Sequence, residues 1–337
     1  MATERKKNIR IKDVARLAGV APSTVSLALN GKTLVAPKTR EHILKIAAEL
    51  EYTGNVTASR LKRGRTNTIA IVVLETINAY SSERAHVIES EVCANGYTPM
   101  MIYSRLETEA EALQLVQTVS GAVDGVICFE SIYMDMLYRR LNNLGIPCVF
   151  ITCPNTDLAA DSACYDVEEG AKLAVEYLIG RGCKRIATYA SSDQIAQPKA
   201  ERFRGYLEVM RKANLSTDGL VLPVDVALEN YELLYKLASQ LVDLQPDAIL
   251  ALSDMLAMVT LRVLRDRGME AGRDVAVIGF DNLLIGSYSI PRLTTLDCSY
   301  PELAKDLVGM LLERINGYNG SPRHKLLPCK LVCRESA

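Results

Sequence analysis

IKDVARLAGVAPSTVSLALN, running from Ile11 to Asn30, reads as two short helices joined by a tight turn. Val14, Leu17 and Ala18 recur at helical spacing and give the first helix an apolar face. Gly19 ends it, because glycine accepts the left-handed backbone that a helix exit often needs. Pro22 suits the first position of the next helix, where its missing N–H would have no intrahelical partner anyway. Val25 and Leu29 then turn inward, leaving Ser23, Thr24, Ser26 and Leu27 on the outer side. This is the layout of a helix-turn-helix, whose second helix enters a DNA major groove. A plain helical hairpin has the same periodicity, so the separation rests on what surrounds the stretch.

Charge supplies that separation. Residues 1–65 hold fourteen Lys/Arg and five Asp/Glu, a net of +9, while the whole chain carries −1, which leaves −10 on the remainder. A solvated face explains scattered charges but not their segregation by sign. A basic head of this kind neutralises phosphates and makes binding steeply salt-dependent.

Working outward, Pro37 to Leu50 forms a third helix, with Ile43, Ile46, Ala47 and Leu50 as a single stripe closing a three-helix core. Asn55 is a good N-cap for Val56 to Arg63, before Gly64. An octet of that length is too short to hold a helix alone in water. From Thr68 the pattern changes to short apolar strands (IAIVVL, TPMMIY, GVICF, IPCVFI, RIATYA, AILAL, VAVIGF) alternating with amphipathic helices. Those helices are expected at Ala85–Asn95, Glu168–Arg181, Arg202–Ala213, Asn230–Leu244 and Met255–Arg267. This alternation predicts an α/β body of parallel sheets covered on both faces. Roughly 270 residues with so many strands suit two doubly wound lobes. Ligands in such folds bind beyond the carboxyl ends of the strands, here after Leu74, Phe129, Ala190, Leu252 and Phe280.

Other chemistries find no support. The three histidines, His42, His86 and His324, lack metal spacing, and the nine cysteines contain no CxxC and read as buried reduced thiols. Cys329 and Cys333 share a possible strand face, but two ligands do not make a zinc site. There is no GxSxG, HExxH or GxxxxGK[ST], and Gly180-Arg181-Gly182 follows a helix rather than a strand. The expectation is no enzyme, no metal and no cofactor. No apolar run approaches the roughly 20 residues of a membrane span, and the polar start, Met1 to Lys12, is unlike a signal peptide, so a cytoplasmic protein is expected.

In these motifs the chain resembles the lactose/galactose repressor (LacI-type) family of bacterial transcription regulators. IKDVARLAGVAPSTVSLALNG, VAPKTREHILKIAAELEY and NVTASRLK match the family's head and hinge in order and spacing. VDGVICF, RFRGYLEVM, DAILALSDMLAM, VAVIGFDN and PRLTTLDCSYPELAKDLVGMLLERI match its body. The resemblance implies a helix-turn-helix head over residues 1–53, a hinge helix and linker over 54–66, and a two-lobed body over 67–337 like the periplasmic sugar-binding proteins. One lobe is expected at about 67–153 plus 291–320 and the other at 154–290 plus 321–337. A free-standing periplasmic-type sugar-binding protein is the alternative, but it would be exported and would lack the basic head. Departures from the family pattern are Ala21 for a serine, Leu27 for a polar or basic base-reading side chain, and Gly54 for the proline at the hinge entrance. Asn78-Ala79-Tyr80-Ser81 replaces a frequent Asn-Pro-Phe-Phe-like stretch. With no heptad tail before Ala337, a homodimer is expected.

The resemblance implies two sites. For a palindromic operator in double-stranded DNA, Arg10, Lys12, Lys38, Arg40 and Lys62 are phosphate candidates, and Ser23, Thr24, Ser26 and Leu27 face base edges. Leu27 can pack on a thymine methyl but cannot make an arginine's bidentate guanine contact. Leu61 matches the family's hinge leucine, which wedges into the minor groove. Pro22, Asn30, Thr39, Asn55 and Ala58 complete the expected DNA-facing set. For a small-molecule effector, expected to be a carbohydrate, Tyr80 would stack, Arg202 would fork to oxygens and Asp254 would take hydroxyl or amine groups. Ser131 and Asp281, at two further strand exits, complete that set.

Overall fold

A computed structural model describes residues 9–29, 34–52, 65–74, 79–129, 132–152, 158–190, 201–224, 231–251 and 253–337. The expected hinge helix, with Asn55, Ala58, Leu61 and Lys62, lies outside the described residues, as do Asn30 and Ser131. The chain divides into two compact units, Met1–Thr66 and Asn67–Ala337.

In the first unit α1 spans Ile11–Ala18, α2 Pro22–Leu29 and α3 Pro37–Glu49. The Asp13 carboxylate accepts the Arg10 N–H at 2.9 Å, which meets one unpaired backbone donor at the start of α1. Gly19 leaves α1 at φ +66°. Val14, Ala15, Ala18, Val25, Ala28, Val35, Ile43 and Ala47 form the buried core. Leu17, expected on the inner face of α1, is instead 56% exposed, and Ala15 takes the inward place. Leu27 and Leu29 are half-buried against this core.

The second unit holds two six-stranded sheets. The strands of the first are β1 (Thr68–Leu74), β2 (Thr98–Ser104), β3 (Gly125–Phe129), β4 (Cys148–Ile151), β5 (Asp161–Tyr165) and β11 (His324–Leu327), in the order β11-β5-β4-β3-β1-β2. The second has β6 (Ile186–Ala190), β7 (Val221–Pro223), β8 (Ala248–Leu250), β9 (Ala276–Phe280), β10 (Thr294–Asp297) and β12 (Lys330–Val332), in the order β12-β10-β9-β8-β6-β7. All neighbours pair in parallel except β10 with β12, which is antiparallel. Helices α4 (Ala79–Ala94), α5 (Glu109–Val119), α6 (Met134–Asn143) and α11 (Tyr300–Ile315) belong with the first sheet, and α7 (Val167–Gly180), α8 (Glu201–Lys212), α9 (Tyr231–Asp243) and α10 (Asp254–Asp266) with the second. No described helix is long and apolar enough to cross a membrane.

The continuous apolar runs follow from this layering. Along β1, Ile69, Ile71 and Val73 join one core with Ala85, Ile88 and Val92 of α4, while Ala70 and Val72 join another with Leu115 and Leu137 of α5 and α6. A strand covered on both faces needs apolar residues at every position.

The lobe boundaries expected from the sequence are corrected at each crossing. β5 belongs to the first sheet, so the chain first crosses after Tyr165 rather than near residue 153. β10 belongs to the second sheet, so the return comes after Asp297 rather than at 291. β11 lies in the first sheet, moving the last crossing from about 321 to between Leu327 and Lys330. These strands hide because they are not apolar runs: β5 opens with the buried pair Asp161 and Ser162, β10 reads TTLD, and three of four β11 residues are exposed.

Asp161 ties these late segments together. Its carboxylate accepts Arg314 Nη2 at 2.7 Å, Arg323 Nη2 at 2.7 Å and the Arg323 backbone N–H at 2.9 Å. Burial alone would raise its pKa, yet the two guanidiniums outweigh burial and hold it at about 2. Its contribution to stability is therefore present above the ordinary carboxylate range and is lost as pH falls toward 2. Asp161→Asn leaves two partly buried guanidiniums short of a countercharge and should cost roughly 3 kcal/mol or more in urea unfolding at neutral pH. An unchanged unfolding midpoint would contradict this.

Candidate DNA-binding face and interlobe cleft

On the head, the short α2 exposes Pro22 and Ser23, half-exposes Thr24, Ser26 and Leu27, and buries Val25 and Ala28. Arg10 and Lys12 are exposed at the start of α1, and Lys38 and Arg40 at the start of α3, with Thr39 half-buried between them. The outer face of α2 is thus short, polar and within a unit carrying exposed cations at two helix N-termini. Leu27 departs from its expected freedom, since part of its side chain packs on the head's core.

In the body, the carboxyl ends of the two sheets carry the groups that converge. Asp254 is the first residue of α10 and is fully buried. Its Oδ2 accepts the Leu283 N–H at 2.7 Å and its Oδ1 accepts the Thr295 hydroxyl at 2.5 Å. A Cβ at residue 279 would sit 2.2 Å from Asp254 Oδ1, so glycine there makes room for the carboxylate. Asp254 therefore anchors the loop after β9, a role additional to the one expected for it.

Asp281 is the first residue beyond β9, at φ +114°, and is 3% exposed. Its backbone is fixed by an N–H to Leu296 O at 3.0 Å and by the Tyr300 hydroxyl on its carbonyl at 3.1 Å. Its Oδ1 is buried without a hydrogen-bond partner among the described residues. Arg202 of α8 lies with its guanidinium carbon 3.9 Å from the centre of the Phe280 ring. Arg84 of α4 is buried over Phe129 at 5.0 Å, and so brings a cation from the other lobe. Both arginines act electrostatically on Asp281. Thr188, Tyr189, Arg202, Phe203, Leu250, Ala251 and Phe280 surround a recess of only about 10 Å³, about one water molecule.

The structure therefore brings Arg202 and Asp254 within electrostatic reach of Asp281. Tyr80 falls in the first turn of α4, one turn before Arg84, and its side chain lies outside the described residues. Arg84 was missed. Its signal lies in spacing, for it continues the stripe of Ile88 and Val92 at four-residue intervals, where an arginine is out of place unless it faces other charges.

Burial raises both carboxyls, Asp254 to about 7 and Asp281 to about 8, against the opposing pull of hydrogen bonds on Asp254 and of Arg202 and Arg84 on Asp281. In the folded protein both hold protons at pH values where the unfolded chain has released them. Stability is thus lost as pH rises from the ordinary carboxylate range through about 8. Asp281→Asn removes one of these titrations. Its thermal midpoint should fall less than that of the wild type between about pH 6 and about pH 8, measured by calorimetry at constant ionic strength. Equal slopes for the two proteins would place the titration elsewhere.

Comparison with known proteins adds the following. Residues 10–55 match the family described as bacterial regulatory proteins, lacI family, and residues 175–337 match the periplasmic binding protein-like domain. The HTH-type transcriptional repressor PurR of Vibrio campbellii is 31% identical over 332 residues, 97% of this chain and 98% of that protein. A solved complex of the transcriptional regulator CelR with cellobiose is 29% identical, covers 98% of this chain and 100% of its own, and superposes with a TM-score of 0.69. The lac repressor dimer bound to operator and the anti-inducer ONPF has the same fold, with a TM-score of 0.82 at 24% identity and coverage of 98% and 99%. The head match sets the chain apart from a free-standing binding protein, and these relatives are regulators rather than enzymes.

Proposed function

The chain belongs to the lacI family of bacterial regulatory proteins, and on that premise we propose that it is a homodimeric repressor whose hold on a palindromic operator is set by a carbohydrate in the interlobe cleft. The protein is a DNA-binding transcription regulator with a ligand-binding body. The observation that carries the fuller reading is the pairing of a +9 head with a −10 body whose cleft gathers Arg202, Asp254 and Asp281. In this reading Ser23, Thr24, Ser26 and Leu27 face base edges, while Arg10, Lys12, Lys38, Arg40 and Lys62 contact phosphates. In the same reading Leu61 wedges into the minor groove of the operator. Its action belongs to the cytoplasm, where the operator is.

In the cleft, Arg202 donates to sugar hydroxyls and Asp254, through the loop after β9 that it anchors, positions the sugar's other contacts, in keeping with the cellobiose held by the CelR relative. Sugar binding between the lobes would favour one lobe arrangement over another, and that preference would change the spacing at which two hinges start. Homodimerisation has a fitting surface in the exposed apolar side chains Leu284, Ile285, Tyr288 and Ile290.

Two measurements test this. Operator affinity, read by anisotropy on a labelled palindromic duplex, should fall roughly a hundredfold or more between about 50 and about 200 mM salt. A flat salt response would overturn the assignment of the head. Against a panel of mono- and disaccharides, the wild type should change operator affinity with at least one sugar, and Arg202→Ala should lose that response while binding operator within about threefold of wild type without sugar. A response that survives in Arg202→Ala would make Arg202 structural.

A further inference from the structure

Two of the three crossings between the lobes carry a cysteine each. Cys298 follows β10 on the way back to the first lobe, and Cys329 precedes β12 on the final crossing to the second. In the antiparallel β10–β12 ladder Asp297 pairs with Lys330, so the next rung sets Cys298 directly opposite Cys329. Their Sγ atoms are 3.6 Å apart, and the residues are 2% and 6% exposed. Among the described residues no other two cysteine sulfurs are hydrogen-bonded to each other.

The surroundings hold this pair in place. A Cβ on Gly170 of α7 would meet Cys329 Cβ at 3.0 Å and Sγ at 3.1 Å, so the helix closes directly over the second thiol. Nearby, Asp166 N–H donates to Leu327 O at 2.8 Å, which ties the first crossing to the last. Closing the sulfurs from 3.6 Å to the roughly 2.05 Å of a disulfide is within reach of side-chain rotation on opposed strands.

We propose that Cys298 and Cys329 form a redox modification site, a dithiol that hydrogen peroxide converts into a disulfide stapling two of the three interlobe crossings. In the first step Cys329 attacks a peroxide that reaches it through local opening of the crossing, since both thiols are buried. Its S–H becomes S–OH, the O–O bond breaks and one water leaves. In the second step Cys298 Sγ attacks Cys329 Sγ, the S–O bond breaks, and the departing hydroxide takes the Cys298 proton as a second water. Both sulfurs are oxidised by one electron each and one peroxide is reduced to two waters. Hydrogen bonding to Cys329 and burial push the Cys298 thiol well above its ordinary range, so the reduced pair is stable at rest and oxidation is slow. Once formed, the bond holds the two strands against sliding, and the lobes keep whichever arrangement they had when it closed.

The bond goes beyond the effector reading and is tested without any effector. Full-length protein is treated with hydrogen peroxide and digested with trypsin without reduction. Because Lys330 separates Cys329 from Cys333, the peptides Leu293–Lys305 and Leu326–Lys330 report the proposed bond unambiguously. The expected result is that these two peptides are joined, that dithiothreitol separates them, and that Cys329→Ser abolishes the product. Amide exchange at Cys298, Ser299, Cys329 and Lys330 should slow by roughly tenfold in the oxidised protein. Exposed Cys93 and Cys333 show that the peroxide has acted. If they are converted to higher oxides while residues 298 and 329 stay unlinked, the site is refuted. A bond that forms with unchanged exchange refutes the staple.

Discussion

Three crossings of one chain between two parallel sheets govern what the body can do. Neither sheet is complete without late segments that have already visited the other: β11 closes the first and β12 the second, only three residues apart along the chain. The lobes consequently fold together and share one apolar core that runs from Ile71 and Ile127 to Ile278 and Phe280. Asp161, gripped by Arg314 and Arg323, secures the returning segments on the first lobe.

That frame explains where charge is buried. Parallel strands direct their carboxyl ends at one edge of each sheet, and the crossings turn those edges toward each other. Asp281 reaches this edge in a left-handed conformation, with the arginine of its own lobe on Phe280 and that of the other lobe on Phe129. A carboxyl that loses water on all sides is costly as an anion, and two guanidiniums offset only part of that cost. Asp254 is the steadier of the two carboxyls, because Leu283 and Thr295 already occupy its oxygens.

Much of this was legible in the sequence, for identifiable reasons. The central strands announced themselves because burial on both faces demands unbroken apolar runs, and helices between them fell close to where periodicity put them, as with Val167–Gly180 and Asp254–Asp266. Arg202 and Asp254 were nominated by the family resemblance, and the structure brings their charges, with that of Asp281, near one another. What escaped was whatever depends on distant partners. β5 is stabilised by a buried aspartate whose cations come some 150 residues later, and no local pattern reveals that. Leu17 was misassigned since an eight-residue helix leaves the choice between two adjacent faces to its packing partners, and Ala15 fits closer to α2 and α3. Arg84 was hidden by the habit of reading a helical arginine as solvent-exposed. Its burial makes sense only once Phe129 and Asp281 are brought beside it.

Coupling between two sites is reciprocal: if a ligand in the cleft alters operator binding, operator must alter the cleft by the same free energy. Hydrogen exchange on the full-length protein with and without a palindromic operator therefore tests the account directly, with no need to know the sugar. The amides of Asp281, Asn282 and Leu283, bonded to Leu296 O, Thr295 Oγ1 and Asp254 Oδ2, are the reporters. A regulator of the kind described changes their protection when operator binds. Changes confined to residues 1–66, with the three cleft amides unmoved, would contradict it.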